Sequence, residues 1–360
     1  NGLLLIAADV EITASLIENL RTRGVKALHP RRSGGVRTRP KRRVERRRPP
    51  TDVDAISTSY DPAKVQRIKK QFLAGERALV QLTEAFERNR AADLRDTEPH
   101  VENYINELAD DPDPVVANAL KYEADLELAR RCVQFSILSL AIAQQMEVSE
   151  EEMLAIGSAA LVHDWALFKL PPEGRFPHQI DDEDARLVYL RHPKDAEEML
   201  QHVDGVSAWV MLFVSQVHEL LDGTGFPGGL KANALPVGSR ILSIADAYLT
   251  MTCPPSGSVR IVPCDAIAYL ISAASQSRYS AAAVTGLLKV VTLYPIGSIV
   301  ELSDTTQARV IRSNGNDYGY PIVETIATPR RQIYLKEEDL FVTRPVTLAR
   351  RNEVRLPETY

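Results

Sequence analysis

Leu161-Val162-His163-Asp164-Trp165 sets a histidine beside an aspartate inside an otherwise apolar stretch. Adjacent imidazole and carboxylate groups can share one metal ion, or the carboxylate can bridge two. Standing alone, such a pair is more often a helix-end histidine with a neighbouring cap. Here it opens an ordered series: His192-Pro193, His218-Glu219, Asp222-Gly223-Thr224-Gly225-Phe226-Pro227, then Ala245-Asp246-Ala247. The series shifts the reading from a cap to a metal site assembled from several helices.

The surrounding sequence supplies those helices. Apolar residues recur at helical spacing over 65–86, 102–109, 115–145, 150–165, 185–201, 206–221, 240–250, 263–274 and 280–290. Ser149 followed by Glu152 is a capping-box pattern opening the segment that carries His163. Helices holding inward-facing ligands suit a metal cluster, because each fixes one or two donors rigidly. After Leu293-Tyr294-Pro295 the pattern changes to short strand-like runs at 298–302, 308–312, 322–325 and 333–335. Residues 1–30 read as a small α/β module. Residues 31–58 are rich in Arg, Pro, Gly and Ser without periodicity, and read as a linker. The expected organisation is therefore an α/β module at 1–30, a basic linker at 31–58, a helical connector at 59–124, a helical domain at 125–292 and a β-rich appendage at 293–360.

Composition narrows the function classes. The chain has 360 residues and a formal net charge of −5. Residues 31–48 hold ten basic residues and one acid, Glu45; the remainder has 33 basic against 47 acidic residues. No aromatic residue interleaves those arginines, so a base-stacking platform has no support and nucleic acid is the weakest partner class. Cys132, Cys253 and Cys264 form no CxxC pair, consistent with a reducing, cytoplasmic compartment. No apolar run approaches the roughly 20 residues needed to span a bilayer.

The order and spacing of the His, Asp and Gly-rich elements resemble the HD-GYP phosphodiesterases, the branch of the HD phosphohydrolases that cleaves cyclic di-GMP. The resemblance covers residues 125–290, with weaker likeness over 291–326. It implies a mainly α fold: an HD-type helical bundle with a small N-terminal α/β piece and a short C-terminal β appendage. It also implies a divalent metal, iron or manganese, and places the ligands at His163, Asp164, His192, His218 and Asp246. Asp164 is the implied catalytic carboxylate. Asp222, Gly223, Gly225, Phe226, Pro227 and Arg240 fall in the implied nucleotide-facing region.

Four positions depart from that pattern. Arg131 stands where the resemblance implies a lone histidine ligand on an earlier helix. A guanidinium has no lone pair for a metal, but it can occupy a cation's place and pair with Asp164 or Asp246. Val217 replaces the first of two adjacent histidines. Leu167 replaces a lysine that handles phosphate, and Lys169 could substitute only if the helix has given way to a loop there. Phe226 replaces the motif tyrosine, keeping the ring without its hydroxyl. The best remaining arrangement puts one ion on His163, Asp164 and Asp246 and a weaker one on Asp164, His192 and His218. Metal is therefore expected at low occupancy or not at all. The preferred reading is a degenerate module that binds cyclic di-GMP, a related nucleotide or a signalling partner. The alternative is an active phosphodiesterase with a reduced metal site.

Overall fold

The structure is a computed structural model that describes residues 60–88, 90–121, 127–171, 175, 182–254, 260–346 and 353–354. The expected 1–30 module and 31–58 linker lie outside these residues. Ten α-helices are described: α1 (Pro62–Glu87), α2 (Glu98–Asp110), α3 (Pro112–Ala119), α4 (Leu128–Gln145), α5 (Glu150–Val162), α6 (Glu183–Leu200), α7 (Ala208–Gln216), α8 (Val237–Thr252), α9 (Pro263–Ser275) and α10 (Ala281–Val291). Their starts follow from local chemistry. Asp61, Ser149, Asp182, Ser207 and Ser280 each accept a backbone N–H in the first turn of α1, α5, α6, α7 and α10. Pro stands at the first or second position of α1, α2, α3 and α9, where its missing N–H costs nothing.

α4 is the central element. Its residues from Cys132 to Ala143 are buried without interruption, so it reads as a core helix rather than an amphipathic surface one. It packs against α1, α5, α8 and α10. One hydrophobic core runs through residues from Ile68 to Val291. The expected boundary at 124/125 thus has no counterpart in the packing, because α1–α3 contribute to the same core as the later helices. The expected helix over 115–145 is two helices, α3 and α4. The expected helix over 206–221 stops at Gln216, and His218 and Glu219 sit in the turn beyond it.

The C-terminal strands form a five-stranded antiparallel sheet in the order β5-β4-β3-β2-β6, from β2 (Ile299–Leu302), β3 (Gln307–Arg312), β4 (Ile322–Thr325), β5 (Gln332–Tyr334) and β6 (Val342–Pro345). Val300, Leu302, Ala308, Val310, Val323, Ile333 and Val342 bury its inner face as a second core. Exposed Gln307 and Arg309 alternate with buried Ala308 and Val310 in β3, the period of two that a half-buried strand requires. A polar clamp joins sheet to helices. Arg312 donates to both oxygens of Asp111 at 2.8 and 2.9 Å, and Ser313 donates to Asp113 through its hydroxyl at 2.6 Å and its N–H at 3.1 Å. The Arg312 guanidinium also lies 4.7 Å from the Tyr60 ring centroid. A two-residue parallel pairing links β1 (Arg260–Ile261) to β7 (Glu353–Val354). No helix among the described residues is long and apolar enough to cross a membrane.

Candidate metal centre

The site lies where α4, α5, α6 and α8 converge with the turn after α7. His163 caps the C-terminus of α5, Asp164 follows, and the chain tightens into a 3-10 turn over Trp165–Lys169. Trp165 anchors that turn: it is fully buried and its Nε1 donates to Thr83 Oγ1 at 2.7 Å. Helix ends leave their last carbonyls unpaired. The carbonyl of Ala160 is one of these, and it takes His163 Nδ1 at 2.8 Å. That contact places the proton on Nδ1 and leaves Nε2 facing the site.

His192 is fixed by a different device with the same result. It lies in the middle of α6, buried, rather than opening a helix. Pro193 follows it inside the helix and has no N–H for the carbonyl four residues back, which belongs to Tyr189. His192 Nδ1 takes that vacant acceptor at 2.6 Å. Its Nε2 is thereby turned inward.

A continuous line of polar groups results. His163 Nε2 is 3.2 Å from Asp164 Oδ2, and His192 Nε2 is 3.3 Å from Asp164 Oδ1. His192 Nε2 faces His218 Nε2 at 3.0 Å. His218 Nδ1 is 3.2 Å from Asp246 Oδ2. At the far end the Arg131 guanidinium is 3.7 Å from Asp246 Oδ1. Arg131 also donates to Thr250 Oγ1 at 2.9 Å and to the Cys253 carbonyl at 3.1 Å. All five residues expected as ligands are thus brought together, with Arg131 at one end of their line.

Electrostatics follow the same line. Burial works against charge on His163, but the Asp164 carboxylate beside it prevails and holds the imidazole pKa well above its ordinary value. Burial likewise opposes ionisation of Asp164, and the charge and hydrogen bond of His163 outweigh it, leaving the carboxyl far below its usual range. Burial lowers the pKa of His192. Asp246 is held down by His218 and Arg131 against the effect of burial. Asp164 is thus faced by His163 and Asp246 by Arg131.

Two groups of donors can still hold an ion. Asp164, His192 and His218 form one, and Cys132, His163 and Asp164 form the other; within each group the ligand atoms lie within 4.8 Å of one another. Asp164 is common to both. The first group, two imidazoles and a carboxylate, suits a first-row divalent ion. The grouping differs from the expected one at a single point: Cys132, not Asp246, accompanies His163 and Asp164. Asp246 is instead engaged by His218 and Arg131. Cys132 was not legible as a donor from sequence. It follows Arg131 in an apolar helix, and only the rotation of α4 decides which of the two side chains meets His163.

The glycine-rich loop packs against this centre. The N–H of Phe226 donates to the His218 carbonyl at 3.2 Å, and a Cβ on Gly225 would lie 2.4 Å from the Leu220 nitrogen, so only glycine permits the approach. Glu219, 1% exposed, holds the loop through Gly228 N–H at 2.5 Å and Leu230 N–H at 2.8 Å. Sequence reasoning gave Glu219 no role; an acidic residue three places ahead of the glycine-rich run was the available signal. Phe226, joined to Pro227 by a cis peptide bond, stacks on His218 with centroids 4.7 Å apart. Asp222 accepts from Thr224 N–H and hydroxyl, which closes the turn around Gly223, a residue at φ 82°.

Two expected residues are used elsewhere. Arg240 donates to the carbonyls of Leu235 and Ala232 at 2.7 and 2.8 Å, so it fastens the 3-10 turn at Ala232–Ala234 rather than presenting those donors to a phosphate. Lys169 is exposed at the end of its 3-10 turn, with Nζ 5.5 Å from the Phe86 ring centroid and no ion pair among the described residues. Leu167 and Val217, at positions where the resemblance implies polar groups, are buried in the core.

Residues 105–282 match the family model described as HD domain. A cyclic di-GMP phosphodiesterase of Pseudomonas aeruginosa is 24% identical over 285 residues, which are 77% of this chain and 68% of that relative. A cyclic di-GMP phosphodiesterase response regulator of Xanthomonas campestris is 33% identical over 108 residues, 30% of this chain and 29% of the relative. A 3'3'-cGAMP-specific phosphodiesterase of Vibrio cholerae is 34% identical over 122 residues, 33% of this chain and 28% of the relative. The chain thus spans less than a third of the length of the last two. A solved structure of an HDG"Y"P protein from Bdellovibrio bacteriovorus superimposes with a TM-score of 0.50 at 18% identity, over 65% of this chain and 76% of that one, and so shares its fold. Residues 105–282 thus match an HD domain model, and the chain is similar to cyclic-dinucleotide phosphodiesterases in sequence and to that Bdellovibrio protein in fold.

Proposed function

We propose that this chain is a cyclic-dinucleotide signalling module that binds its nucleotide, or a signalling partner, without hydrolysing it. The observation that carries this reading is the Arg131 guanidinium, 3.7 Å from Asp246 Oδ1. A divalent ion on His163, Asp164 and Asp246, the arrangement the resemblance implies, would need Asp246 as an available carboxylate. One oxygen already faces a permanent cation and the other faces His218. An ion placed there would meet the guanidinium's charge at short range in a poorly solvated setting, where repulsion is strong. Two-ion phosphoryl chemistry, in which the metals would activate water and stabilise the leaving oxygen, therefore lacks one of its seats.

The remaining departures act in the same direction. Leu167, where the resemblance implies a lysine, is buried and brings no cation to a phosphate. Phe226 offers a stacking face but no hydroxyl. The loop itself is well built, held by Glu219 and by the close approach at Gly225, so a surface for nucleotide survives the loss of chemistry. The relatives act on cyclic di-GMP or 3'3'-cGAMP by their names, which points to that ligand class.

The alternative, a phosphodiesterase working with one ion, is favoured by the convergence of Asp164, His192 and His218. Equilibrium binding and product analysis separate the two. The expected result is saturable binding of cyclic di-GMP or 3'3'-cGAMP with no linear product in manganese or ferrous buffer. Hydrolysis that disappears in Asp164→Ala would overturn the proposal.

A further inference from the structure

We propose that Cys132 is a metal ligand of this chain, completing with His163 and Asp164 a buried three-donor site for one soft divalent ion, zinc being the best fit. The inference deepens the reading above by naming the ion a non-hydrolytic centre would hold.

Cys132 follows Arg131 on α4, so the two side chains leave the helix about 100° apart. Arg131 reaches Asp246, while Cys132 meets His163 and Asp164, with all three donor groups buried and within 4.8 Å of one another. Buried cysteines commonly act as small apolar residues. Among the described residues, Cys132 is the cysteine that joins a histidine and a carboxylate in such a group. Cys253, by contrast, directs its thiol to the Leu120 carbonyl at 3.6 Å.

Charge separates the two pockets. An ion on Asp164, His192 and His218 meets one negative donor and leaves a net positive charge in the interior. An ion on Cys132, His163 and Asp164 meets a thiolate and a carboxylate, which together neutralise a dication. Buried charge is costly unless it is compensated, so the thiolate pocket is the more favourable seat. Thiolate with imidazole also selects a softer ion than the all-nitrogen-and-oxygen set does. The balance is simple: the Cys132 thiol releases its proton to solvent as the ion enters, His163 binds through an unprotonated Nε2, and no redox step is needed. Phe135, with its ring centroid 4.4 Å from that of His163, covers the pocket on the α4 side. Three protein donors fill three of zinc's four tetrahedral positions and leave the fourth to water.

The test uses the full chain, stripped of metal and titrated with cobalt(II). A thiolate-to-cobalt charge-transfer band in the near ultraviolet is expected. It should be absent in Cys132→Ser and retained in Cys253→Ser and Cys264→Ser, and zinc affinity should fall more than about 100-fold in Cys132→Ser. X-ray absorption of the zinc-loaded unmodified protein covers the case in which that variant fails to fold. A sulfur scatterer at about 2.3 Å is expected, and a shell of nitrogen and oxygen alone would overturn the inference. A band that persists in Cys132→Ser would also overturn it. Neither result bears on nucleotide hydrolysis, which is read separately.

Discussion

Replacing Arg131 with Met removes a buried cation while keeping most of its apolar stem. The guanidinium's contacts with Asp246, Thr250 and the Cys253 carbonyl are all lost. Deleting one partner of a fully enclosed ion pair costs about 3–5 kcal/mol. Asp246 is 23% exposed at its side chain and keeps His218 on its other oxygen, so the cost here is about 2–3 kcal/mol. For a folding unit of this size, that lowers Tm by roughly 5–10 °C in metal-free protein. Asp246→Asn alone should cost a similar amount, because it leaves the guanidinium uncompensated. The double variant should cost less than the sum by about 1–2 kcal/mol, since the two residues interact directly. Urea unfolding of all four proteins in chelator gives the coupling energy. Strictly additive effects would show that Arg131 and Asp246 do not depend on each other, and the argument from charge balance would fail.

Other consequences follow from the same contacts. Glu219→Ala strips the Gly228 and Leu230 N–H groups of their acceptor, at a cost of about 2–3 kcal/mol; limited proteolysis should then cut within 222–230 before any other described segment. Gly225→Ala forces a Cβ into the backbone of 218–220 and should abolish nucleotide binding measured by calorimetry, with helical content unchanged. Burial raises the Asp113 carboxyl pKa, so the folded state holds that proton more tightly than the unfolded chain does. The Asp113 contribution to stability therefore declines as pH rises from its unfolded value of about 4 through its folded one, and Asp113→Asn should flatten this part of the stability curve. Paired Arg131→His and Val217→His changes should raise metal content per chain, read by mass spectrometry.

Much of the centre was legible because its elements are local in sequence. His163-Asp164, His192-Pro193, His218 and Asp246 each lie on or beside a helix whose periodicity is plain, and each reaches the cluster. The features that escaped depend on rotation or on tertiary partners. The split between α3 and α4 has no glycine or proline to mark it, and apolar spacing continues on both sides. The placing of Cys132 rather than Asp246 beside His163 depends on how α4 is turned against α5. Arg240 looked like an anion partner because nothing in sequence reveals the two outward carbonyls of the turn that it satisfies. Pro193 carried a signal of another kind: a proline inside a helix frees one carbonyl, and the adjacent histidine takes it.

The central claim is that Arg131 has displaced one ion and, with it, turnover. Metal counted by mass spectrometry in the purified chain, with cyclic di-GMP hydrolysis assayed on the same sample, tests this most directly. The account predicts no more than one ion per chain and no linear product. Two ions per chain, with linear product formed and then lost in Asp164→Ala, would contradict it.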